Sequence, residues 1–312
     1  MEFYHLPVLL NECIEGLNIR PDGVYVDGTL GGAGHSAEIL KRLRKGRLIG
    51  IDRDKEALEA ARDRLRQFGG SFIPVHGNFG DLRTILEGLN IEKADGLLFD
   101  FGVSSPQLDE AERGFSYTKD AMLDMRMDRE APLTARDVVN YWPEEQLRRI
   151  LREYGEERYA SRIASAIVRR RELSPIETTL ELAEVIRGAM PGAALREKQH
   201  PAKRSFQAIR MAVNSETEEI ERLLESLPDC MSEGARVCII SFHSLEDRCV
   251  KNYFQNYAKG CTCPPEFPVC VCGKKPIFRL ITKKPITASE QELKINPRAR
   301  SAKLRIAERT GD

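Results

Sequence analysis

The chain has 312 residues, 41% of them hydrophobic, and no run of about 18 apolar residues, so it predicts a globular protein without a transmembrane helix. Its 48 basic and 48 acidic residues cancel, which excludes a uniformly charged protein but not local patches. The N-terminus lacks the charged and apolar regions of a signal peptide, so we expect a cytoplasmic protein with no membrane partner.

The first hundred residues alternate predicted strands with predicted helices. Apolar runs predict strands at 24–28, 48–52, 72–76 and 96–101. Between the second and third of these, alanines and leucines at helical spacing predict a helix over 55–68. This alternation is typical of βαβ units, and it predicts an α/β fold with a Rossmann-like, doubly wound parallel sheet.

Long charged helices replace strands in the middle of the chain, and they are predicted at 144–154, 157–171 and 179–190. Strand character returns at 235–242, 277–282 and 302–306. We therefore predict one α/β domain, formed by residues 1–112 and 215–312, that is interrupted by a helical insertion at 113–214.

Positive charge is concentrated in two stretches of this neutral chain. From Gly273 to Arg309 there are eleven lysines and arginines against three glutamates, and a second basic stretch runs from Arg196 to Arg210. Such patches are typical of proteins that bind a polyanion such as nucleic acid, although solvated surfaces give similar counts.

A glycine-rich bend, Gly28 to Gly34, follows the first predicted strand directly after Asp27. Glycines allow the backbone to approach a nucleotide-sized ligand, and Asp52, about 20 residues later, suits the hydroxyls of a ribose. The loop also matches the dinucleotide fingerprint of a nicotinamide-dependent dehydrogenase. Asp27 favours S-adenosylmethionine instead, because a carboxylate repels a pyrophosphate but accepts hydrogen bonds from an ammonium group.

Two later segments should border the same crevice, because ligands bind beyond the carboxyl ends of parallel strands. Asp100 ends the fourth predicted strand, and Ser104 lies in the turn that follows it. Ser104 is a candidate acceptor for an exocyclic amine, and the alternative is an ordinary Ser-Pro turn. After the next strand, His243 is a base, a substrate contact or a structural turn residue, and Ser244 with Asp247 predicts the start of a helix.

Several long motifs together closely resemble the bacterial 16S ribosomal RNA cytosine N4-methyltransferase family, also called the RsmH or MraW family. The resemblance extends from about Tyr4 to Arg309, and its motifs are Asp27-Gly28-Thr29, Ile51-Asp52-Arg53-Asp54, 102–109, 111–116, 123–128, 154–158, 241–248 and 296–301. It implies a class I S-adenosylmethionine-dependent methyltransferase fold, with residues 113–214 as an RNA-recognition insertion. It also implies methylation of a cytosine in the decoding centre, with 16S rRNA in the small ribosomal subunit as the partner.

The resemblance also implies roles for individual residues. Cofactor contacts are implied at Ala33, Gly34, His35, Asp52, Phe79, Asp100 and Gln107. Catalytic roles are implied at Asp100, Ser104, Pro106 and His243. RNA contacts are expected from the motif 123–128 and from Lys203, Arg204 and Arg210. Other amino-methyltransferases often have an aromatic residue where this tetrad, 104–107, has Gln107, so base stacking is left to Phe101, Phe115 or Tyr117.

Four of the eight cysteines are clustered as Cys261-x-Cys263-x6-Cys270-x-Cys272. Four thiolates are enough for a tetrahedral structural Zn²⁺ site, although the spacing is tighter than the usual C-x-x-C, and a loop of free thiols is the alternative. The oligomeric state is left open, with a homodimer among the options. Besides the dehydrogenase, the remaining alternative function is a non-enzymatic RNA-binding module, which would leave Asp27, Asp52 and Asp100 without a role.

Overall fold

A computed structural model of the chain describes residues 7–261, 263–264, 267–269 and 271–311. These residues form two compact units. The first takes the described residues of Met1–Gly102 and Glu218–Asp312, and the second is Val103–Thr217. The second unit thus begins at Val103, ten residues before the predicted start of the helical insertion, and it ends three residues after the predicted end.

The first unit contains one seven-stranded sheet with the order β3-β2-β1-β4-β5-β7-β6. Neighbours among the first five strands are parallel, whereas β7 is antiparallel to both β5 and β6. The strands are β1 (Val24–Asp27), β2 (Arg47–Asp52), β3 (Phe72–His76), β4 (Ala94–Asp100), β5 (Met231–Ser241), β6 (Phe278–Leu280) and β7 (Lys303–Arg309). The predicted doubly wound α/β sheet is confirmed, and its C-terminal strands complete one edge.

Thirteen α-helices occur in the described part of the chain. They are α1 (Leu10–Leu17), α2 (Gly34–Leu40), α3 (Lys55–Leu65), α4 (Leu82–Gly88), α5 (Ser105–Asp109), α6 (Ala135–Tyr141), α7 (Glu144–Glu153), α8 (Ala160–Leu173), α9 (Thr179–Ala189), α10 (Lys203–Val213), α11 (Glu216–Cys230), α12 (Ser244–Ala258) and α13 (Glu290–Ile295). None of them has both the length and the apolar character that crossing a bilayer requires.

Helices of the first unit cover both faces of the sheet. Ile14 of α1, Ile39 of α2 and Leu58 of α3 belong to the apolar cluster on one face. The cluster on the other face contains Leu86 of α4, Leu223 of α11 and Phe254 of α12. Burial on both faces explains why the parallel strands read as continuous apolar runs in the sequence.

The second unit is helical and has its own core, which includes Ile163, Ile167, Leu182 and Ile186. Capping boxes formed by Thr134 with Asp137 and by Thr178 with Glu181 start α6 and α9. The helix predicted over 157–171 starts at Ala160 instead. The reason is local, because Glu157 accepts a hydrogen bond from the Tyr159 N–H (2.9 Å) and forms a turn before the helix.

Candidate active site

Three aspartates lie at the carboxyl ends of adjacent strands. Asp27 ends β1, Asp52 ends β2 and Asp100 ends β4. The strand order reverses between β1 and β4, which are neighbours although they are distant in sequence. This reversal is where open α/β sheets bind ligands, so the three carboxylates border one candidate crevice.

Asp27 is buried, with 1% of its surface exposed. Its carboxylate accepts hydrogen bonds from Ser36 Oγ (2.6 Å) and from the Thr29 N–H (3.2 Å). Burial raises the pKa of Asp27 to about 7, against the lowering effect of these two bonds. Near neutral pH this carboxyl therefore changes its charge easily when a cation approaches.

Asp100 has a carboxyl oxygen, Oδ1, that is buried without a hydrogen-bond partner among the described residues. Its backbone N–H donates to Thr29 Oγ1 (2.6 Å), which fixes the end of β4 beside the glycine-rich bend. Burial raises the pKa of Asp100 to about 8, and the nearby acids Asp27 and Glu246 add to the rise. Asp27, Asp100 and Glu246 thus form a cluster of three carboxyl groups, which is well suited to a positively charged ligand.

Asp52 organises the backbone of the glycine-rich bend. Its Oδ2 accepts from the Gly31 N–H (2.9 Å), and its Oδ1 accepts from the Asp54 N–H (2.9 Å). Burial raises the pKa of Asp52, although both bonds oppose the rise. The side chain stays partly exposed, and a carboxylate has lone pairs for more than two donors, so ribose hydroxyls can still bind here.

The bend itself combines a positive backbone angle with close packing. Gly31 has a φ of 43° and Ala33 has a φ of 55°, so a residue other than glycine also adopts the left-handed region. At Gly34 the φ is not positive, and a Cβ would instead overlap the ring of Pro7. Close approach, rather than backbone freedom, therefore requires glycine at position 34.

Three aromatic rings line this edge of the sheet. Phe79 packs against Phe99 and Phe101, with ring centroids 6.1 and 5.3 Å away. The guanidinium carbon of Arg53 lies 5.7 Å from the centre of the Phe79 ring. Phe79 lies three residues after the end of β3, on the carboxyl side of the sheet where the aspartates also lie.

The two histidines that are predicted site residues, His35 and His243, both contact other groups of the protein. His35 is 6% exposed, and its Nε2 lies 3.0 Å from the backbone oxygen of Val8. His243 is the N-cap of α12, where its Nδ1 accepts from the Glu246 N–H (3.5 Å). The predicted helix start with Ser244 and Asp247 is wrong by one residue. His243 and Glu246 form the capping box, and Asp247 instead binds Lys303 and Arg305.

Sequence analysis missed Glu246 and Thr29. Glu246 is 2% exposed, accepts from the Phe242 N–H (2.8 Å) and lies 3.0 Å from His243 Nε2 through its other oxygen. Thr29 holds the backbone of Asp100. The signals were present in the runs Asp27-Gly28-Thr29 and His243-Ser244-Leu245-Glu246, but only the fold shows that both segments reach the same acids.

Ser104, Pro106 and Gln107 belong to the second unit, where they form the start of α5. Ser104 Oγ accepts from the Gln107 N–H (3.5 Å), and Gln107 Oε1 accepts from the Ser104 N–H (3.0 Å). Pro106 lies in the first helical turn, a position where its missing N–H costs little. The turn that was the alternative interpretation of Ser104 is thus a capping box, and Gln107 is 5% exposed.

The motif 123–128 lies in the core of the second unit. Leu123, Met125 and Met127 are buried. Arg113, also buried, donates to the backbone oxygens of residues 126 and 127 (3.1 Å each). The expectation that this motif as a whole grips RNA is therefore wrong for its apolar half, because those side chains are needed for packing.

Asn214 connects this motif to α10. Its Nδ2 donates to the backbone oxygens of Met125 (2.8 Å) and Arg210 (2.9 Å), and its Oδ1 accepts from the Met127 N–H (2.8 Å). One side chain thus satisfies three backbone groups, two of them around Met125, which has a φ of 58°.

We expect Asn214→Ala to lower the free energy of unfolding of the second unit by about 3 kcal/mol, because it leaves buried backbone groups without partners. Urea denaturation followed by the fluorescence of Trp142, the chain's one tryptophan, measures this, since Trp142 packs against the core of that unit. Asn256→Ala, at an exposed position of α12, is the control and should change stability by less than about 0.5 kcal/mol. Equal effects of the two substitutions would contradict the prediction.

Part of the predicted positive charge is used within the protein. Arg210 donates to both oxygens of Glu216 (2.7 and 2.8 Å), and its side chain is only 15% exposed, so its charge is paired within the protein. In the C-terminal segment, Lys303 and Arg305 bind Asp247. Burial alone would raise the pKa of Asp247, but these two cations hold it below its usual value. Lys203 remains exposed.

The sequence matches the model of the MraW methylase family over residues 2–310. Three relatives share the name "Ribosomal RNA small subunit methyltransferase H". The protein of Heliobacterium mobile is 54% identical over 99% of this chain and 100% of its own length. The protein of Symbiobacterium thermophilum is 56% identical over 98% and 96%, and that of Clostridioides difficile is 54% identical over 99% and 100%. With its class I, Rossmann-like sheet, this chain belongs to the MraW methylase family.

Proposed function

We propose that this protein transfers a methyl group from S-adenosylmethionine to N4 of a cytosine in the decoding centre of 16S ribosomal RNA. The observation that carries the proposal is the acidic cluster at the carboxyl ends of the strands, where the buried Asp100 Oδ1, without a hydrogen-bond partner among the described residues, lies near the carboxyl groups of Asp27 and Glu246. Membership of a methylase family and the name of the relatives support the reaction and the RNA class. The nicotinamide alternative has no such support.

The residues present fit S-adenosylmethionine. When bound, this cofactor supplies a methyl group on a positively charged sulfur. Asp27 and Asp100 would stabilise the sulfonium and ammonium charges, since opposite charges favour the ionised carboxylates. Asp52 would accept from the ribose hydroxyls, and Phe79 would lie against the adenine. Ala33, Gly34 and His35 would contribute backbone groups. The His35 ring itself contacts the backbone oxygen of Val8.

The chemical step needs orientation more than an activated nucleophile. The exocyclic nitrogen of cytosine shares its lone pair with the ring, so acceptors that hold its N–H groups favour attack on the methyl carbon. Ser104 Oγ is proposed as one such acceptor, because its bond to the Gln107 N–H is long (3.5 Å) and leaves a lone pair available. Pro106 and Gln107 fix this serine in its capping box.

Asp100 and His243 are proposed to act differently. Asp100 would anchor the cofactor. The positive charge of the cofactor would favour the ionised form of Asp100, which would then be placed to accept the proton that the amine loses. His243 is proposed as a positioning residue, because its ring caps α12 and contacts Glu246. The second unit, with its exposed Lys203, is proposed to recognise the RNA through phosphate contacts.

Labelled methyl transfer to isolated small ribosomal subunits that lack the modification tests the function. We expect label in 16S RNA that is recovered, after digestion, as N4-methylcytidine. Ser104→Ala should lower the rate by about tenfold, the effect of losing roughly one hydrogen bond. Ser174→Ala, which changes an exposed serine of the same unit, should have the native rate. Label in another nucleoside would refute the N4 assignment, and cofactor binding without label in RNA would refute the substrate.

A further inference from the structure

The segment between α12 and β6 contains the clustered cysteines. It extends from residue 259 to 277, and its described residues form no helix or strand. Phe267, Val269 and Val271 in this segment are 51%, 71% and 73% exposed. Long loops without secondary structure are uncommon in compact domains, and this one has few buried apolar contacts of its own. Apolar burial therefore stabilises the described part of this segment only weakly.

Three sulfur atoms meet within this segment. The Sγ atoms of Cys261, Cys263 and Cys272 all lie within 4.8 Å of one another. Those of Cys261 and Cys272 are 3.7 Å apart, far beyond the roughly 2.05 Å of a disulfide. With Zn–S bonds of about 2.3 Å, the edge of a tetrahedral zinc–thiolate site is about 3.8 Å. The observed spacing fits two ligands of one metal ion, and it also fits the hydrogen bond that the Cys272 thiol donates to Cys261 Sγ.

Backbone amides point at two of these sulfurs. The Cys263 N–H donates to Cys261 Sγ (3.3 Å), and the Val271 N–H donates to Cys263 Sγ (3.4 Å). Such bonds stabilise negative charge on sulfur and orient metal-binding thiolates. Of the other described cysteines, Cys13, Cys230 and Cys238 are buried as small apolar residues are, and Cys249 is partly buried.

We propose that Cys261, Cys263 and Cys272 bind a structural Zn²⁺ ion that orders the loop 259–277. Each thiol releases its proton when it binds the metal, and no oxidation or reduction is involved. Cys270 lies outside the described residues, and the sequence pattern alone nominates it as the fourth ligand. The site is independent of the proposed methyl transfer, because no aspartate of the acidic cluster takes part in it.

Metal analysis of the full-length protein, purified with a reductant and without chelators, tests the site. We expect about one zinc per chain, which is lost in Cys261→Ser and Cys272→Ser and retained in Cys249→Ala, whose thiol lies outside the cluster. Titration of the metal-free protein with Co²⁺ should give the intense absorption of tetrahedral cobalt–thiolate bonds, and Zn²⁺ should displace it. Cys270→Ser tests the fourth ligand in the same assay.

The proposal is overturned if the reduced protein binds neither Zn²⁺ nor Co²⁺, if it contains iron instead, or if a native disulfide joins Cys261 to Cys272. Limited proteolysis gives a second measurement. Zinc should protect the loop 259–277 in the wild type and in Cys249→Ala but not in Cys261→Ser. Because metal content and proteolysis are measured without RNA, failure of the proposed methylation would leave this test intact.

Discussion

Asp100→Asn is expected to lower the rate of methyl transfer by on the order of 10²-fold while it stabilises the ligand-free protein above pH 7. The asparagine keeps the shape of the side chain but cannot carry the negative charge proposed to stabilise the cofactor. The neutral asparagine also removes the electrostatic repulsion between residue 100 and the acids Asp27 and Glu246. Activity and stability should therefore change in opposite directions.

The pH dependence of stability follows from the raised pKa values. Asp100 and Asp27 have pKa values of about 8 and about 7 in the folded protein, above the ordinary value of 3.8. The folded chain thus binds these protons more tightly than the unfolded chain does. The free energy of unfolding that these two groups contribute is complete at pH values below their ordinary pKa. It is lost as the pH rises towards their pKa values in the folded protein, by at most about 1.4 kcal/mol per pH unit for each group.

Chemical denaturation at pH 5, 6, 7 and 8, followed by circular dichroism, measures this effect. The free energy of unfolding of the wild type should fall between pH 5 and 8, and Asp100→Asn should flatten the decline. Asp63→Asn, an equivalent substitution on the exposed side of α3, should reproduce the wild-type curve and the wild-type rate. A variant at position 100 with native activity, or with a pH profile as steep as that of the wild type, would refute the assignment.

Gly28→Ala is expected to destabilise the first unit by about 3 kcal/mol and to weaken the binding of S-adenosylmethionine by roughly tenfold or more. A Cβ at this position would overlap ring carbons of Phe99 and lie 3.3 Å from Phe79 Cβ. Phe99 is fully buried, so the new methyl group fits only if the Phe99 ring shifts and disturbs the sheet. The shifted ring would push Phe79 out of its proposed contact with the adenine.

Gly70→Ala is the matched control, because a Cβ at Gly70 meets nothing within 4 Å. Its stability should stay within about 0.5 kcal/mol of the wild type. Calorimetric titration with S-adenosylmethionine measures the affinity, and circular dichroism measures unfolding of the sheet. The fluorescence of Trp142, in the second unit, distinguishes general unfolding from damage to the first unit. Native affinity in Gly28→Ala would show that Phe79 does not contact the cofactor.

The sequence alone determined the first four strands, their parallel α/β arrangement and the acids at the ends of three of them. β3 is observed at its predicted bounds, β1 and β2 differ from theirs by one residue at one end, and β4 differs by two residues at its start and one at its end. These features depend on local patterns, because a strand buried on both faces must be apolar throughout and must end where polar residues begin. The motifs also identified the methylase family without any structure.

Only the tertiary structure decided which polar groups are paired and which are not. Charge counting could not distinguish Arg210 and Arg305, whose guanidinium groups bind a buried and a partly buried acid, from lysines such as Lys203 that remain exposed. The motif 123–128 looked like an RNA-binding surface until its apolar side chains proved to be core. Likewise, only the structure showed that His243 is the N-cap of α12 and forms a capping box with Glu246. The physical reason is the same in each case, since pairing and burial depend on partners that are distant in sequence and meet only when the chain folds.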